Sequence, residues 1–439
     1  MKRDPGISLP GDVFIYVLQL IRYSPTSHWS WQVLVLASVC RRWRNFTIGT
    51  PMLWRHIAAP AYGLCFISLL LERSQRCPLV IEYQAARPDN RVLSLLAEHS
   101  ERWEDVTLYI PPSSYICLSS IRGRLPLLER LSLHATVDDP EAYAYPLSRF
   151  ENAPVLQSLD LRWFYDHLVR EHCVPWTRLT HLRCQSIELS SLHSLLDNTP
   201  TLSRLCVSEI SHNLPPSDRS RSEVLTELKG LSVIDCELQV VYSLLDRALN
   251  LVELGILMNS DPGKANIDIP IILPHLHTLK IQINGIFPGV VNFLVFEAPQ
   301  LSEIEFSGCH ALDNSDDELE NRFEDIVTSG RLFIQFLRNF VQGSGCSLVS
   351  LTLDCEVDFH ASEMMPLFEV LPSLEYLDIS VLHMGCIPFR DMTPASAIFP
   401  KLQTLYLRIP PEECLMDDVN DLISLATSSS VLKIRLVAK

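Results

Sequence analysis

Along most of the chain, apolar residues recur in one short figure, Leu-x-x-Leu-x-Leu, in which the last two apolar positions alternate with polar ones. With aliphatic or Cys replacements it starts at Leu128, Leu156, Leu179, Leu202, Leu228, Leu251, Leu276, Leu301, Leu348, Leu374 and Leu402. Alternation at period two predicts a short strand with one buried face, because successive side chains of a strand point to opposite sides. Most starts lie 23–28 residues apart. That is the period of a leucine-rich repeat, whose units each give one parallel strand and a return segment and bury their apolar face only against neighbouring units. Weaker copies flank the run, at Trp103, Val106 and Leu108 and at Val431, Ile434 and Leu436. The expected fold class is therefore α/β: a leucine-rich-repeat solenoid, a curved parallel sheet with outer helices.

Two regularities reinforce the repeat. Proline stands two residues ahead of the first Leu at Pro126, Pro154, Pro200, Pro274, Pro299, Pro372 and Pro400, where it ends a preceding helix because it lacks an N–H and disfavours helix at the residue before it. The ninth position reads Cys236, Asn259, Asn284 and Cys309 in four consecutive copies. These side chains are expected inside the turn after the strand, satisfying buried backbone groups. The spacing breaks once, with 47 residues between Leu301 and Leu348, an interval that holds the acidic run Asp313-Asn314-Ser315-Asp316-Asp317-Glu318. A unit there is enlarged or has lost its Leu signature, and the acidic run reads as a solvated loop.

The start of the chain follows another pattern. Pro10 and Asp12 suit a helix start, an apolar helical pattern runs through Val17, Leu18 and Ile21, and Leu36, Val39, Cys40 and Trp43 recur at the spacing of one buried helical face. A unit of about 50 residues buries little surface by itself, so leaning on a partner is physically reasonable. The domain reading is a helical module at 1–57, a connecting region and first irregular repeat at 58–102 (a helix at 64–73, a strand at 79–83), and a solenoid at 103–439 with the enlarged repeat near 307–347. No Gly- or Ser-rich linker separates the parts, which predicts rigid packing between them.

Leu9-Pro10-Gly11-Asp12, Val39-Cys40-Arg41-Arg42-Trp43 and Leu53-Trp54 together resemble the F-box, and with the irregular repeats the chain is similar to the F-box/leucine-rich-repeat substrate receptors plentiful in fungi. The resemblance implies a substrate-recognition subunit of an SCF-type cullin ubiquitin ligase: the F-box docks a Skp-type adaptor, which bridges to a cullin scaffold, and the repeats hold the substrate protein. Carried over by residue, the adaptor-facing set is Leu9, Pro10, Val13, Leu36, Val39, Cys40, Trp43 and Trp54. Core packing is the alternative for Trp43 and Trp54. Trp29 and Trp31 depart from the family pattern, and either extend the apolar interface or tuck onto the first repeat. The alternative function is a protein-interaction scaffold outside the ubiquitin system.

In each strand, positions three, five and seven of the repeat point away from the core. The early copies place Arg130, His134, Arg162, His181, Arg183 and Arg204 there, and later copies place Glu303, Glu305, Asp354 and Asp378. With strands about 4.8 Å apart, Arg162, Arg183 and Arg204 are expected near one another. Planar guanidinium forks match carboxylate and phosphate geometry, so the early strip is a candidate site for an acidic or phosphorylated peptide of the substrate. The alternative is a solvated strip balanced by acids such as Asp160.

Composition limits the chemistry further. Seventy leucines, nearly one residue in six, and 47% hydrophobic residues exclude a disordered chain. A net charge of −16 repels nucleic acid on average. Thirteen cysteines without paired spacing suit reduced thiols and a cytoplasmic or nuclear protein. Neither a secretory leader nor a membrane span is expected. There is no phosphate loop, no nucleophile elbow and no His-Glu-x-x-His helix, so no enzyme, cofactor or catalytic residue is expected. His172, Cys173, His181 and Cys184 have a spacing that matches no common zinc pattern. An enzyme with a site assembled from scattered residues is the third class of function.

Overall fold

A computed structural model describes residues 29–59, 63–85, 88–135, 147–162, 176–210, 224–259, 270–283, 296–308, 333–354, 361–380, 400–409 and 433–438. The chain divides into two compact units, Met1–Pro175 and Trp176–Lys439.

The first unit opens with helices α1 (Trp29–Val39) and α2 (Arg41–Ile48), followed by a 3₁₀ turn at Pro51–Trp54. The helical pattern across Leu36 to Trp43 predicts one continuous face, but the helix breaks at Cys40. Its backbone is extended, at φ −159° and ψ 170°, and its Sγ accepts the Trp43 N–H at 3.5 Å as the cap of α2. Val39, the last residue of α1, and Cys40 at the break are both exposed instead of facing a core. Strand β1 (His56–Ala59) follows directly. Helix α3 (Leu64–Arg73), β2 (Leu79–Gln84), α4 (Asn90–Glu98), β3 (Trp103–Ile110), a long 3₁₀ segment at Pro112–Ile121, β4 (Arg130–Ala135) and β5 (Ser158–Arg162) complete the unit. The helix and strand of the connecting region occupy the segments where the apolar pattern puts them. All five strands pair in parallel and in sequence order. Their inner faces build the core: Ile57, Val106, Leu131 and Leu159 are each at most 1% exposed. The parallel ladder starts at His56, so the end of the helical module already belongs to it.

The second unit repeats the same physics over β6 (His181–Gln185), β7 (Arg204–Ser208), β8 (Gly230–Ile234), β9 (Glu253–Met258), β11 (Thr278–Ile283), β13 (Glu303–Gly308), β14 (Ser350–Asp354), β15 (Tyr376–Ser380), β16 (Thr404–Ile409) and β17 (Lys433–Ala438), all parallel, with β10 (Ile271–Ile272) and β12 (Phe296–Glu297) paired outside that ladder. Leu182, Leu205, Leu231, Leu254, Leu279, Ile304, Leu351, Leu377 and Leu405 stand opposite one another in one buried column. The second residue of each repeat locks the register: its carbonyl accepts the N–H groups of the second and third residues of the next repeat, from Thr180 with Ser203 and Arg204 through Glu375 with Gln403 and Thr404. Outer helices α5 (Leu189–Asp197), α6 (Leu238–Leu245) and, after residues 333–344 (α7), α8 (Ala361–Phe368) return the chain between strands. These are leucine-rich repeats by strand register, burial and return segments.

The 47-residue interval does not disturb this register, because Ser302 still accepts from Val349 and Ser350 and Ile304 still faces Leu351. Helix α7 brings the chain back: Phe333 lies 4.2 Å from Phe306 and Phe340 5.3 Å from Phe296 between ring centroids. The acidic run 313–318 lies outside the described residues. Gly308 closes β13 at φ +96°, and a Cβ there would sit 2.0 Å from the Ile283 carbonyl oxygen, so no other residue fits.

The ninth positions divide. Cys236 is buried and its thiol donates to the Ile234 carbonyl at 3.3 Å, as a structural role requires. Burial pushes that thiol up to about 11. Asn259 is exposed instead of enclosed. The reason is local: Asp235 turns left-handed after β8 at φ 52°, as do Ser186 and Glu209 after β6 and β7, whereas β9 continues its alternation through buried Met258 and turns the next side chain out. Asn284 and Cys309 lie outside the described residues.

Candidate functional site

Two surfaces carry the residues that the sequence singles out. The first is on the N-terminal helices. Leu9, Pro10 and Val13 lie outside the described residues. Leu36 is buried and packs with Val33, which is fully enclosed, on the inner side of α1. Val35 and Val39, one turn apart on the other side, are 48% and 56% exposed. Cys40 is exposed and Trp43 half-buried. Trp54 is 2% exposed; its indole N–H donates to the Thr47 carbonyl at 2.7 Å, and the Arg73 guanidinium lies 5.5 Å above its ring. Of this set, Val39 and Cys40 are exposed, and Leu36 and Trp54 pack inward. Trp29 and Trp31 open α1. Ile48 at the end of α2 and Met52 beyond it are exposed as well.

The second surface is the outward face of the strands. In the first unit Arg130 donates from Nε to Asp105 at 2.8 Å, a bond that raises the guanidinium pKa. Arg162 folds back on Asp160 of its own strand at 2.9 Å. His134 lies opposite Arg162, 3.9 Å from Asp160 and edge-on to Tyr109 at 5.9 Å. In the second unit His181 lies opposite Arg204 and accepts or donates at 2.9 Å with the Thr180 hydroxyl. Arg204 crosses β8 to reach Glu253 at 3.6 Å. Gly230 makes that crossing possible, since a Cβ there would meet the Arg204 side chain at 3.3 Å. Arg183 lies opposite Cys206, and its Nε is buried without a hydrogen-bond partner among the described residues. His181 and Cys184 occupy opposite faces of β6, outward and inward, so they do not converge on one ion.

The later acidic half also contains cations, Lys280 and Arg408, at its outward positions. Lys280 bridges Glu253 at 3.5 Å and Glu305 at 3.9 Å. Arg408 grips Asp378 through two nitrogens, at 3.1 and 2.8 Å, and also Asp354, while Ser380 donates to Asp354 at 2.6 Å. The pair with Asp378 raises the Arg408 pKa. Tyr376 and Tyr406 flank this knot with ring centroids 5.4 Å apart. Writing the repeats in aligned columns would have found it, because Arg408 and Ser380 occupy position seven of neighbouring copies.

No family model and no curated protein matches the sequence. Among solved structures the chain is similar to a Bacteroides fragilis protein at 15% identity and TM-score 0.35, covering 62% of this chain and 69% of that one. It is similar to yeast Rad7 in complex with Elc1 at 14% identity and TM-score 0.37, covering 94% and 98%, and to a leucine-rich-repeat protein of Leptospira interrogans at 14% identity and TM-score 0.28, covering 81% and 95%. The repeat architecture stands on the strand register and burial and not on these likenesses. Among the described residues, no helix is long and apolar enough to cross a membrane.

Proposed function

We propose that the chain is the substrate-recognition subunit of an SCF-type ubiquitin ligase. In this reading the N-terminal module is an F-box that docks a Skp-type adaptor and through it a cullin scaffold, and the outward strand faces hold the substrate protein. The chain does no bond chemistry itself; it raises the effective concentration of the substrate near the transferring enzyme. One observation carries the reading: within the Val39-Cys40-Arg41-Arg42-Trp43 motif, the break at Cys40 leaves Val39 and Cys40 exposed, although Leu36 and Trp54 pack inward. An aliphatic side chain more than half exposed on an ordered helix is what a docking surface offers.

The test is co-purification of a recombinant Skp-type adaptor with the full chain, compared with Val39→Glu. Capture by the parent and loss in the variant, with unchanged melting, support the reading; no capture by the parent overturns it. An adaptor complex that recruits no cullin would favour the scaffold reading instead.

A further inference from the structure

The distribution of charge around the exposed valines is not that of the rest of the chain. From Val13 to Leu71 there is no Asp or Glu, a stretch of 59 residues in a chain that has 52 acids among 439 residues. The same stretch holds Arg22, Arg41, Arg42, Arg44 and Arg55. Overall the protein carries −16, so this segment is a cationic island in an anionic chain. Arg55 has an internal use, donating to Glu104 at 2.8 Å. Arg41, Arg42 and Arg44 stand exposed in the first turn of α2, which contains no acidic residue. Arg44 gives its Nε to the Ala37 carbonyl at 3.0 Å, tying α2 to the end of α1, and among the described residues no salt bridge engages Arg41.

This placement opposes local stability. The N-terminal end of a helix carries partial positive charge, so cations in the first turn are disfavoured and acids preferred there. Arg41 holds this position with no salt bridge among the described residues, and where a sequence breaks a local rule, function is the usual reason. The arginines also begin two residues after Val39, so the apolar stripe Val35–Val39 runs directly into them.

Resting on the docking reading above, we infer that Arg41, Arg42 and Arg44 form a cationic rim beside the Val35–Val39 stripe, and that the protein docked there presents carboxylates around an apolar seat. Charge complementarity selects an acidic partner, which the net negative charge of the chain as a whole repels on average while the island attracts it. The valines argue against nucleic acid, whose backbone is met by cations and hydrogen-bond donors. They argue against a bilayer too, because Val33 and Leu36 already face inward and two valines expose too narrow a strip to insert.

The test measures association of the full chain with the recombinant Skp-type adaptor at rising salt, for the parent, Arg41→Gln/Arg42→Gln, Arg41→Lys/Arg42→Lys and Val39→Glu. The glutamine pair should associate about tenfold more slowly near 50 mM salt, with a shallower salt dependence, and approach the parent near 500 mM. The lysine pair should retain the parent's salt slope. Circular dichroism and melting of the glutamine pair should match or exceed the parent, since the start of α2 loses two charges that its N-terminal end does not favour. Parent binding with an unchanged salt slope in the glutamine pair overturns this inference and leaves the docking reading intact. Failure of the parent to bind overturns both. Capture by vesicles of phosphatidylcholine and phosphatidylserine or by duplex DNA, lost in the glutamine pair, with no adaptor binding, overturns the assignment to a protein partner.

Discussion

Arginine has two different circumstances in this protein. On the strand faces, Arg130, Arg162, Arg204 and Arg408 each reach a carboxylate of the same or a nearby strand. On the N-terminal helices, Arg41, Arg42 and Arg44 stand in a stretch with no acid of its own. The ladder brings residues some 25 or 50 positions apart within side-chain reach, so a charge there meets whatever its neighbouring repeats supply. Arg41, on a helix that precedes the ladder, meets no salt-bridge partner among the described residues. A cationic residue in a sequence is therefore not yet a cationic site: availability depends on what the register places opposite it.

The contrast can be tested from its largest expected effect downward. Trp54→Ala removes a buried indole and its bond to Thr47 and should cost about 3–5 kcal/mol. Val39→Glu should change stability by less than about 0.5 kcal/mol while abolishing adaptor capture. Denaturant melts of both variants separate packing from docking in one motif, and equal destabilisation would erase the distinction.

Arg408→Ala leaves Asp378, whose side chain is 7% exposed, without its guanidinium. Complete burial would make the loss about 3–5 kcal/mol. Arg408 is 31% exposed, so solvent screening reduces the expectation to about 1–3 kcal/mol. Replacing Asp378 by Asn in the same background should recover part of it. A loss near zero would mean that the acidic half is held by solvation and is as available as the N-terminal island.

A smaller effect concerns pH. Burial holds His193 below its ordinary pKa of 6.5, helped by nearby Arg247, and burial with Arg102 does the same to His99. Both are neutral in the fold, so as pH falls below about 6.5 the unfolded chain takes up protons first. Stability is therefore undiminished above that value and declines below it, toward the depressed pKa. Melting temperatures at about pH 7.5 and 5.5 should differ in this direction, and His193→Asn should reduce the difference; an unchanged slope would count against a buried neutral imidazole. Smallest of all, a double-mutant cycle on Arg130 and Asp105 should give about 0.2–1 kcal/mol, because Arg130 is 52% exposed. A coupling well above that would make the first-unit strip rigid and unavailable.

The repeat was legible because Leu128-x-x-Leu131-x-Leu133 and its copies state the strand, its buried face and its period in seven residues. The pairing partner of each outward side chain was also implicit there, yet Lys280 and Arg408 escaped notice because their acids lie in other repeats, up to 54 positions away. The N-terminal helices were less legible, for a different reason. Leu36, Val39, Cys40 and Trp43 have the spacing of one helical face, and nothing in that spacing says that Cys40 adopts an extended backbone and starts a second helix. Similarly, Asn259 and Cys236 share a repeat position, but the longer strand β9 turns one out while the left-handed turn at Asp235 leaves the other buried.

The amino-acid sequence by itself determined that parallel strands stack with leucine inward, because a period-two apolar pattern repeated every turn of a solenoid has one way to bury all its copies. It also determined the cationic island, which is a matter of composition along the chain. Tertiary structure decided which charges have partners, since ion pairing depends on distances across strands, and it decided that Val39 faces out at the end of α1, since the spacing alone does not say where a helix ends or which of its sides the neighbouring elements cover.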